Sequence, residues 1–125
     1  DRFTKAELLP SMEIAGLCTG IVKFKHIPLV KKEGQQWAYI ATYGNQTLVS
    51  ETDKLGMALF YKLDDVANQQ EGVNDHLVIF KPSTQKLTYY FLGAWEQEPN
   101  GITNETDFYK DLNEKLELLE SKNTL

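Results

Sequence analysis

The sequence has one cysteine, Cys18, and two histidines, His26 and His76, which lie far apart. A single cysteine cannot form an internal disulfide, and the histidines lack the short spacing of zinc ligands. We therefore predict no metal site and no cofactor. Cys18 has no basic neighbour in sequence, so we interpret it as a partly buried structural cysteine rather than a nucleophile.

Long apolar runs, long basic runs and nucleotide-binding motifs are also missing. No apolar run approaches the roughly 20 residues that a bilayer span requires, and no segment is ordered like a signal peptide. The net charge of −5 argues against a nucleic-acid-binding protein. Neither a phosphate-binding loop nor a nucleophile elbow is present. The sequence does not indicate an oligomeric state.

One basic cluster interrupts the acidic chain. Its members are Lys23, Lys25, His26, Lys31 and Lys32. Lysines are common on exposed strand edges, where they discourage aggregation. The alternative is a patch for an anionic ligand such as a uronic-acid sugar, with Lys25 as a binding residue.

The 125 residues predict one domain or a piece of a larger one, and the first residue, Asp1, indicates a processed or shortened chain. Apolar residues alternate with polar ones over most of the chain, which is typical of strands. We predict strands at 19–26, 36–43, 46–50, 55–62, 76–81 and 87–95. The strand at 55–62 is apolar on both sides and is expected to be central.

The remaining segments complete the predicted fold. We expect 1–18 to be irregular, 31–34 to be a turn, and 64–75 to be a loop. The strands at 76–81 and 87–95 are expected to form a hairpin. After Asn104, a plausible N-cap, the apolar period becomes helical. The predicted fold class is all-β, mainly an antiparallel sheet or sandwich, with one C-terminal α-helix.

The stretch 87–102 passes from an apolar strand into a polar corner. Glu96 and Glu98 are candidates for a catalytic acid and base, although Pro99 favours a merely solvated turn. Trp95 is a candidate platform for a sugar ring, and the Asn100 amide could bind sugar hydroxyls. We interpret this corner as the best candidate site.

His76 follows Asp75 at the predicted start of a strand. An exposed histidine beside an aspartate can act as a general acid or base near neutral pH. A hydrogen-bonded histidine at a strand end, without a catalytic role, is the alternative. His76 is therefore a second catalytic candidate.

Five segments together resemble a known family: GLCTGIVKFKHIPLV, WAYIATYGNQTLV, LGMALFY, NDHLVIFKP and TYYFLGAWEQEPNGI. They resemble the C-terminal part of an uncharacterised bacterial family of exported proteins, a domain of unknown function that accompanies pectin-degrading enzymes. The resemblance covers nearly all of this chain. It implies a β-sandwich related to the galactose-mutarotase-like supersandwiches and a periplasmic or extracellular location. The resemblance does not indicate which residues, if any, are catalytic.

The leading hypothesis is a fragment, residues 1–125, of a larger carbohydrate-active β-sandwich domain that processes or binds pectin-type oligosaccharides. In it Glu96, Glu98 and His76 are catalytic, whereas Trp95, Asn100 and Lys25 bind the substrate. One alternative is a non-catalytic carbohydrate-binding or structural module. Another is a small-ligand-binding barrel, which a series of antiparallel strands followed by a helix would also suit.

Overall fold

The computed structural model describes residues 3–46 and 52–125. These residues form antiparallel strands and one long helix. The elements are β1 Phe3–Leu8, β2 Cys18–Val22, β3 Val30–Glu33, β4 Trp37–Asn45, β5 Lys54–Lys62, β6 Val66–Glu71, β7 Asp75–Phe80, β8 Leu87–Trp95 and α1 Glu105–Lys122, with a 3₁₀ turn at Leu63–Asp65. The predicted fold class, antiparallel β with one C-terminal helix, is confirmed.

The strands form two sheets that stack in layers. The larger sheet has the order β1-β8-β5-β4-β3, and the smaller has the order β2-β7-β6. Helix α1 packs on one face of the larger sheet, and the smaller sheet packs on the other. A barrel would need one closed sheet, so two separate sheets in the described chain do not support the barrel alternative.

Strand β5 lies at the centre of the larger sheet and is covered on both faces. Ala58 and Phe60 face α1, whereas Leu59 and Tyr61 face the smaller sheet. The prediction of a central strand at 55–62 is confirmed. Its continuous apolar sequence follows from burial on two sides.

Helix α1 begins and ends where its sequence indicates. The Asn104 side chain accepts a hydrogen bond from the backbone N–H of Asp107 at 2.8 Å, which confirms Asn104 as the N-cap. Asn123 ends the helix in the left-handed conformation, with φ 60°. One stripe of the helix is buried against the sheet: Phe108, Leu112, Leu116 and Leu119.

Three segments predicted to be irregular contain strands. Part of 1–18 forms β1 beside β8, the 31–34 turn belongs mostly to β3, and part of the 64–75 loop forms β6. All three are edge strands, each paired on one side only. An edge strand tolerates polar residues on its exposed side, so the alternating apolar signal is weak there.

The predicted hairpin is wrong. β7 pairs with β2 and β6, whereas β8 pairs with β1 and β5, so 81–86 crosses between the two sheets. Short loops suggest hairpins, but here burial of apolar residues on facing sheets sets the partners. The predicted strand at 46–50 falls largely on residues outside the described part of the chain.

The first predicted strand also differs in its details. β2 ends at Val22, and Ile21 rather than Val22 is buried. Cys18 is exposed, so the expectation of a partly buried cysteine is wrong. Cys18 and Val22 share the outward side of β2, because side chains alternate along a strand. No helix in the described chain is long and apolar enough to span a bilayer.

Candidate functional site

One end of the sandwich, called the loop end here, brings together the ends of strands from both sheets. Strands β2, β4, β6 and β8 end there, and β5 and β7 begin there. Two contacts join neighbouring segments at this end. The backbone N–H of Lys23 donates to the Asn74 carbonyl at 2.9 Å, and Ile27 packs over Gly44 on β4.

The six residues singled out from the sequence all lie at the loop end. Lys25 belongs to the segment after β2, His76 is the second residue of β7, and Trp95 is the last of β8. Glu96, Glu98 and Asn100 lie between β8 and α1. His76 belongs to the smaller sheet, so residues distant in sequence and in different sheets reach the same end of the molecule.

An open aromatic strip runs along β8 towards this end. We define it as Phe91, Gly93 and Trp95, which share the side of β8 that faces the smaller sheet. Leu87 and Tyr89, on the same side, pack against that sheet. Phe91 is 39% exposed, and a Cβ added at Gly93 would meet no described atom within 4 Å. The smaller sheet therefore leaves the strip uncovered.

Two buried polar atoms beside the strip have no hydrogen-bond partner in the described chain. One is Nε1 of Trp95, and the other is Oε1 of Gln46. The Gln46 side chain is only 2% exposed, and its Nε2 donates to Oγ1 of Thr42 at 3.1 Å and to the Leu55 carbonyl at 2.7 Å. Most buried polar groups are paired, so this donor and this acceptor mark a place for a polar partner.

The polar corner after β8 is an ordered turn. The Glu96 carboxylate accepts the backbone N–H of Lys54 at 2.9 Å, and the Glu96 N–H donates to the Lys54 carbonyl at 3.1 Å. Glu96 thus continues the pairing of β8 with β5. Nε2 of Gln97 donates to Oδ1 of the buried Asp53 at 3.4 Å. Asn100 adopts the left-handed conformation, with φ 59°.

Glu96 also affects the opposite side of the sheet. Burial raises the pKa of Tyr43, and the negative charges of Glu96 and Glu105 raise it further. Tyr43 Oη is buried without a hydrogen-bond partner among the described residues. Its ring lies 5.2 Å from that of Phe108. The Tyr43 phenol is therefore neutral at physiological pH and lies on the α1 side of the loop end.

His76 is buried rather than exposed. It is 1% exposed and shares the inward side of β7 with Val78 and Phe80. Its Nδ1 lies 3.7 Å from Oε1 of Glu71, and neither ring nitrogen has a hydrogen-bond partner in the described residues. Burial lowers the pKa of His76, and the Glu71 charge partly opposes this. Both expectations for His76, an exposed histidine and a hydrogen-bonded one, are wrong.

The basic cluster is divided by its contacts. Lys23 Nζ lies 3.3 Å from a Glu71 carboxylate oxygen. Lys31 and Lys32 lie on β3, an edge strand, and Lys32 Nζ donates to Oδ1 of Asn113 at 3.2 Å. Both lysines are exposed, so the interpretation of a solvated strand edge is confirmed for these two residues.

Lys25 lies at the tip of a tight turn at the loop end. The backbone N–H of Ile27 donates to the Phe24 carbonyl at 3.2 Å, and His26 has φ 70°. Phe24 packs against the core between the sheets, and Ile27 packs over Gly44. These two apolar anchors hold Lys25 and His26 exposed at the same end as the aromatic strip.

Sequence reasoning singled out the Trp95–Asn100 corner but not the residues that the structure places around it. Gln46, Asp53 and Glu71 gain their importance from neighbours on other strands. No local motif marks them. Across 3–46 and 52–125, no three His, Cys, Asp or Glu side chains are grouped to hold a metal ion.

Comparison with known proteins supports one family. Residues 1–124 match the family described as Domain of unknown function (DUF4861). No curated protein and no solved structure matches the chain significantly.

Proposed function

The chain belongs to the family described as Domain of unknown function (DUF4861), and we propose that it is part of a carbohydrate-active β-sandwich protein whose loop end binds a saccharide. The observation that carries the proposal is the open aromatic strip on β8. Phe91 and Trp95 lie about 13 Å apart along the strand, and Gly93 leaves the space between them empty. Aromatic rings provide rigid apolar platforms for the flat face of a sugar ring.

The polar groups beside the strip complement a polyhydroxylated ligand. Trp95 Nε1 is a donor and Gln46 Oε1 an acceptor, each lacking a described partner. Ligand sites commonly combine an apolar lining with a few fixed polar groups. A sugar offers hydroxyls that can both donate and accept, so one ligand can satisfy both atoms once a small movement exposes them.

The proposed ligand class is a pectin-type oligosaccharide, as the resemblance of the sequence suggests. The exposed Lys25 lies at the same end of the sandwich and would attract the carboxylate of a uronic acid. Asn100 would bind a hydroxyl. The same resemblance leads us to propose an exported bacterial protein that works in the periplasm or outside the cell.

Binding is tested by titrating the chain with trigalacturonic acid, a rhamnogalacturonan tetrasaccharide and a neutral galactan oligosaccharide. Phe91→Ala removes one platform. We expect at least a tenfold loss of affinity for the probe that binds, measured by calorimetry. Leu118→Ala is the matched control, because Leu118 on α1 is 41% exposed and Phe91 is 39% exposed. Absence of binding by all three probes, or equal affinity in both variants, would contradict the proposal.

The contribution of Lys25 separates uronides from neutral sugars. Lys25→Gln should weaken the binding of trigalacturonic acid and leave the affinity for the neutral oligosaccharide unchanged. The loss of affinity for trigalacturonic acid should be smaller at high salt, because salt screens the charge of Lys25. A matched change at another exposed lysine, Lys122→Gln at the end of α1, should affect neither probe. An equal loss of affinity for both probes would assign Lys25 a structural role instead.

An enzyme and a binding module differ in whether products form. Glu96→Gln keeps an oxygen that can accept from the Lys54 N–H, so the fold should survive. If the protein is an enzyme, Glu96→Gln and Glu98→Gln should abolish product formation while retaining affinity, and His76→Ala should also abolish product formation. If the wild-type protein binds a probe and releases no product, it is a binding module.

A further inference from the structure

A charged cluster on the smaller sheet lies beside the buried imidazole of His76. Glu71 on β6 is directly opposite His76 on β7, and His76 is directly opposite Ile21 on β2. Residues opposite each other point to the same side of a sheet. The Glu71 carboxylate therefore lies on the same side of the smaller sheet as the buried imidazole.

The carboxylate is held in place from its other side. Oε1 of Glu71 lies 3.3 Å from Lys23 Nζ and 3.7 Å from His76 Nδ1. Lys23 is fixed in turn, because its Nζ donates to the Gly72 carbonyl at 3.4 Å and its backbone N–H donates to the Asn74 carbonyl. The order Lys23, Glu71, His76 resembles the way in which a carboxylate orients an imidazole in many catalytic sites.

A neutral imidazole has one donor nitrogen and one acceptor nitrogen, and the partner of one decides the role of the other. Nδ1 faces a carboxylate, which accepts hydrogen bonds only. A proton on Nδ1 can point at Glu71, and a small approach would turn the 3.7 Å separation into a hydrogen bond. Such bonds are often long before a ligand is present.

We infer that Glu71 is a positioning residue that holds His76 in the tautomer with its proton on Nδ1. Nε2 is then a hydrogen-bond acceptor at the loop end, on the inward side of the smaller sheet. Both ring nitrogens of His76 are buried in the structure, so this contact requires the two sheets to part slightly at the loop end. Resting on the proposed function, Nε2 then accepts a hydrogen bond from a hydroxyl of the bound saccharide. It thereby adds a polar contact from the smaller sheet at the end of the sandwich where the aromatic strip lies.

The tautomer is read directly from long-range ¹H–¹⁵N correlation spectra of the ¹⁵N-labelled chain at mildly alkaline pH. We expect a pyridine-like Nε2 and a pyrrole-like Nδ1 for His76. His26, the other histidine, is the internal reference. Glu71→Met should move the proton of His76 towards Nε2, whereas Glu71→Gln, which retains an acceptor oxygen, should preserve the wild-type pattern.

Glu33→Met is the matched control. Glu33 is also a strand glutamate paired with a lysine, Lys31 at 3.5 Å, and its exposure is similar to that of Glu71. Glu33→Met should leave the His76 spectrum unchanged. A pyridine-like Nδ1 in the wild-type chain, or an unchanged pattern in Glu71→Met, would overturn the inference.

The hydroxyl contact is tested by adding trigalacturonic acid and the neutral galactan oligosaccharide to the labelled chain. Binding should change the ¹⁵N chemical shift of Nε2 in His76 and leave the chemical shifts of His26 unchanged. If a probe binds in calorimetry and the chemical shift of Nε2 does not change, the contact is refuted while saccharide binding stands. If no probe binds, the contact fails together with the proposed function, and the tautomer assignment is still decided by the spectra.

Discussion

The carboxylate of Glu120, near the end of α1, accepts the backbone N–H of Trp37 at the start of β4. The distance from Oε1 of Glu120 to the Trp37 nitrogen is 2.6 Å, and the same oxygen lies 2.9 Å from the Gln36 nitrogen. Nε1 of Trp37 donates to Oδ1 of Asn123 at 3.0 Å. These bonds fasten the C-terminal end of the helix to the turn between β3 and β4, at the opposite end of the sandwich from the loop end.

Glu120→Ala should destabilise the fold because it leaves the backbone N–H groups of Gln36 and Trp37 without their acceptor. We expect a loss of about 1–2 kcal/mol in the free energy of unfolding. Urea denaturation measures it. Glu117→Ala, an exposed change on the same helix, should stay within about 0.5 kcal/mol of wild type. Equal effects of the two changes would show that the Glu120 bonds contribute nothing specific.

Two glycines in neighbouring strands should respond oppositely to the same substitution. A Cβ at Gly56 on β5 would clash with the ring of Phe108, whereas a Cβ at Gly93 on β8 would meet no described atom within 4 Å. Gly56→Ala should cost about 1–3 kcal/mol through overpacking. Gly93→Ala should be neutral or stabilise by up to about 1 kcal/mol, because it restricts the unfolded chain. Thermal or urea unfolding of both variants compares the two sites.

Stability should rise with pH as His76 loses its proton in the unfolded state. Burial lowers the folded pKa of His76 below its ordinary value of 6.5, Glu71 and Asp75 oppose the shift, and Lys23 adds to it. Between the lowered folded pKa and 6.5 the unfolded state binds more protons. The free energy of unfolding therefore increases with pH in that window. The stability that the neutral His76 contributes is lost as the pH falls through the same window.

The measurement is urea denaturation at a series of pH values below neutrality and above the range in which ordinary carboxylates titrate. His76→Phe should flatten the slope of the free energy of unfolding against pH. His26→Gln, which removes the exposed histidine, should retain it. A wild-type slope of zero or of opposite sign would refute the assignment of His76 as a group that is neutral because it is buried.

The elements predicted correctly are those that bury a regular pattern. β4, β5, β8 and α1 each place apolar residues against the core at the period of their own structure, so the sequence carries the signal. β3 and β6 run through polar residues such as Lys31–Glu33 and 68–71, because an edge strand is paired on one side only. The partners of β8 are β1 and β5, and such long-range pairing leaves no local trace.

The candidate site divides in the same way. Trp95 and Glu96 stood out because an apolar strand turns abruptly into polar sequence there. The strip is open because the smaller sheet covers Leu87 and Tyr89 but not Phe91 and Gly93. Only the packing of the two sheets determines where that cover stops. The pairing of Glu71 with His76 likewise depends on strand register. Local patterns therefore indicate one part of the candidate site, whereas the proposed contribution of His76 depends on tertiary structure.

Gly93→Leu tests the aromatic strip directly, because it places bulk in the proposed ligand space. A Cβ at this position meets no described atom within 4 Å, so the branch point of the new side chain has room, and urea unfolding checks that the variant is folded. A leucine side chain between Phe91 and Trp95 would occupy the place of the sugar ring. We expect at least a tenfold loss of affinity for the saccharide that binds the wild-type chain, measured by calorimetry.

The matched control adds the same side chain at the opposite end of the sandwich. Gln85→Leu changes an exposed residue of the 81–86 segment and should alter neither stability nor saccharide affinity. If Gly93→Leu folds normally and binds the saccharide as tightly as Gln85→Leu does, the ligand does not lie on this strip. The saccharide site would then have to be sought elsewhere on the molecule.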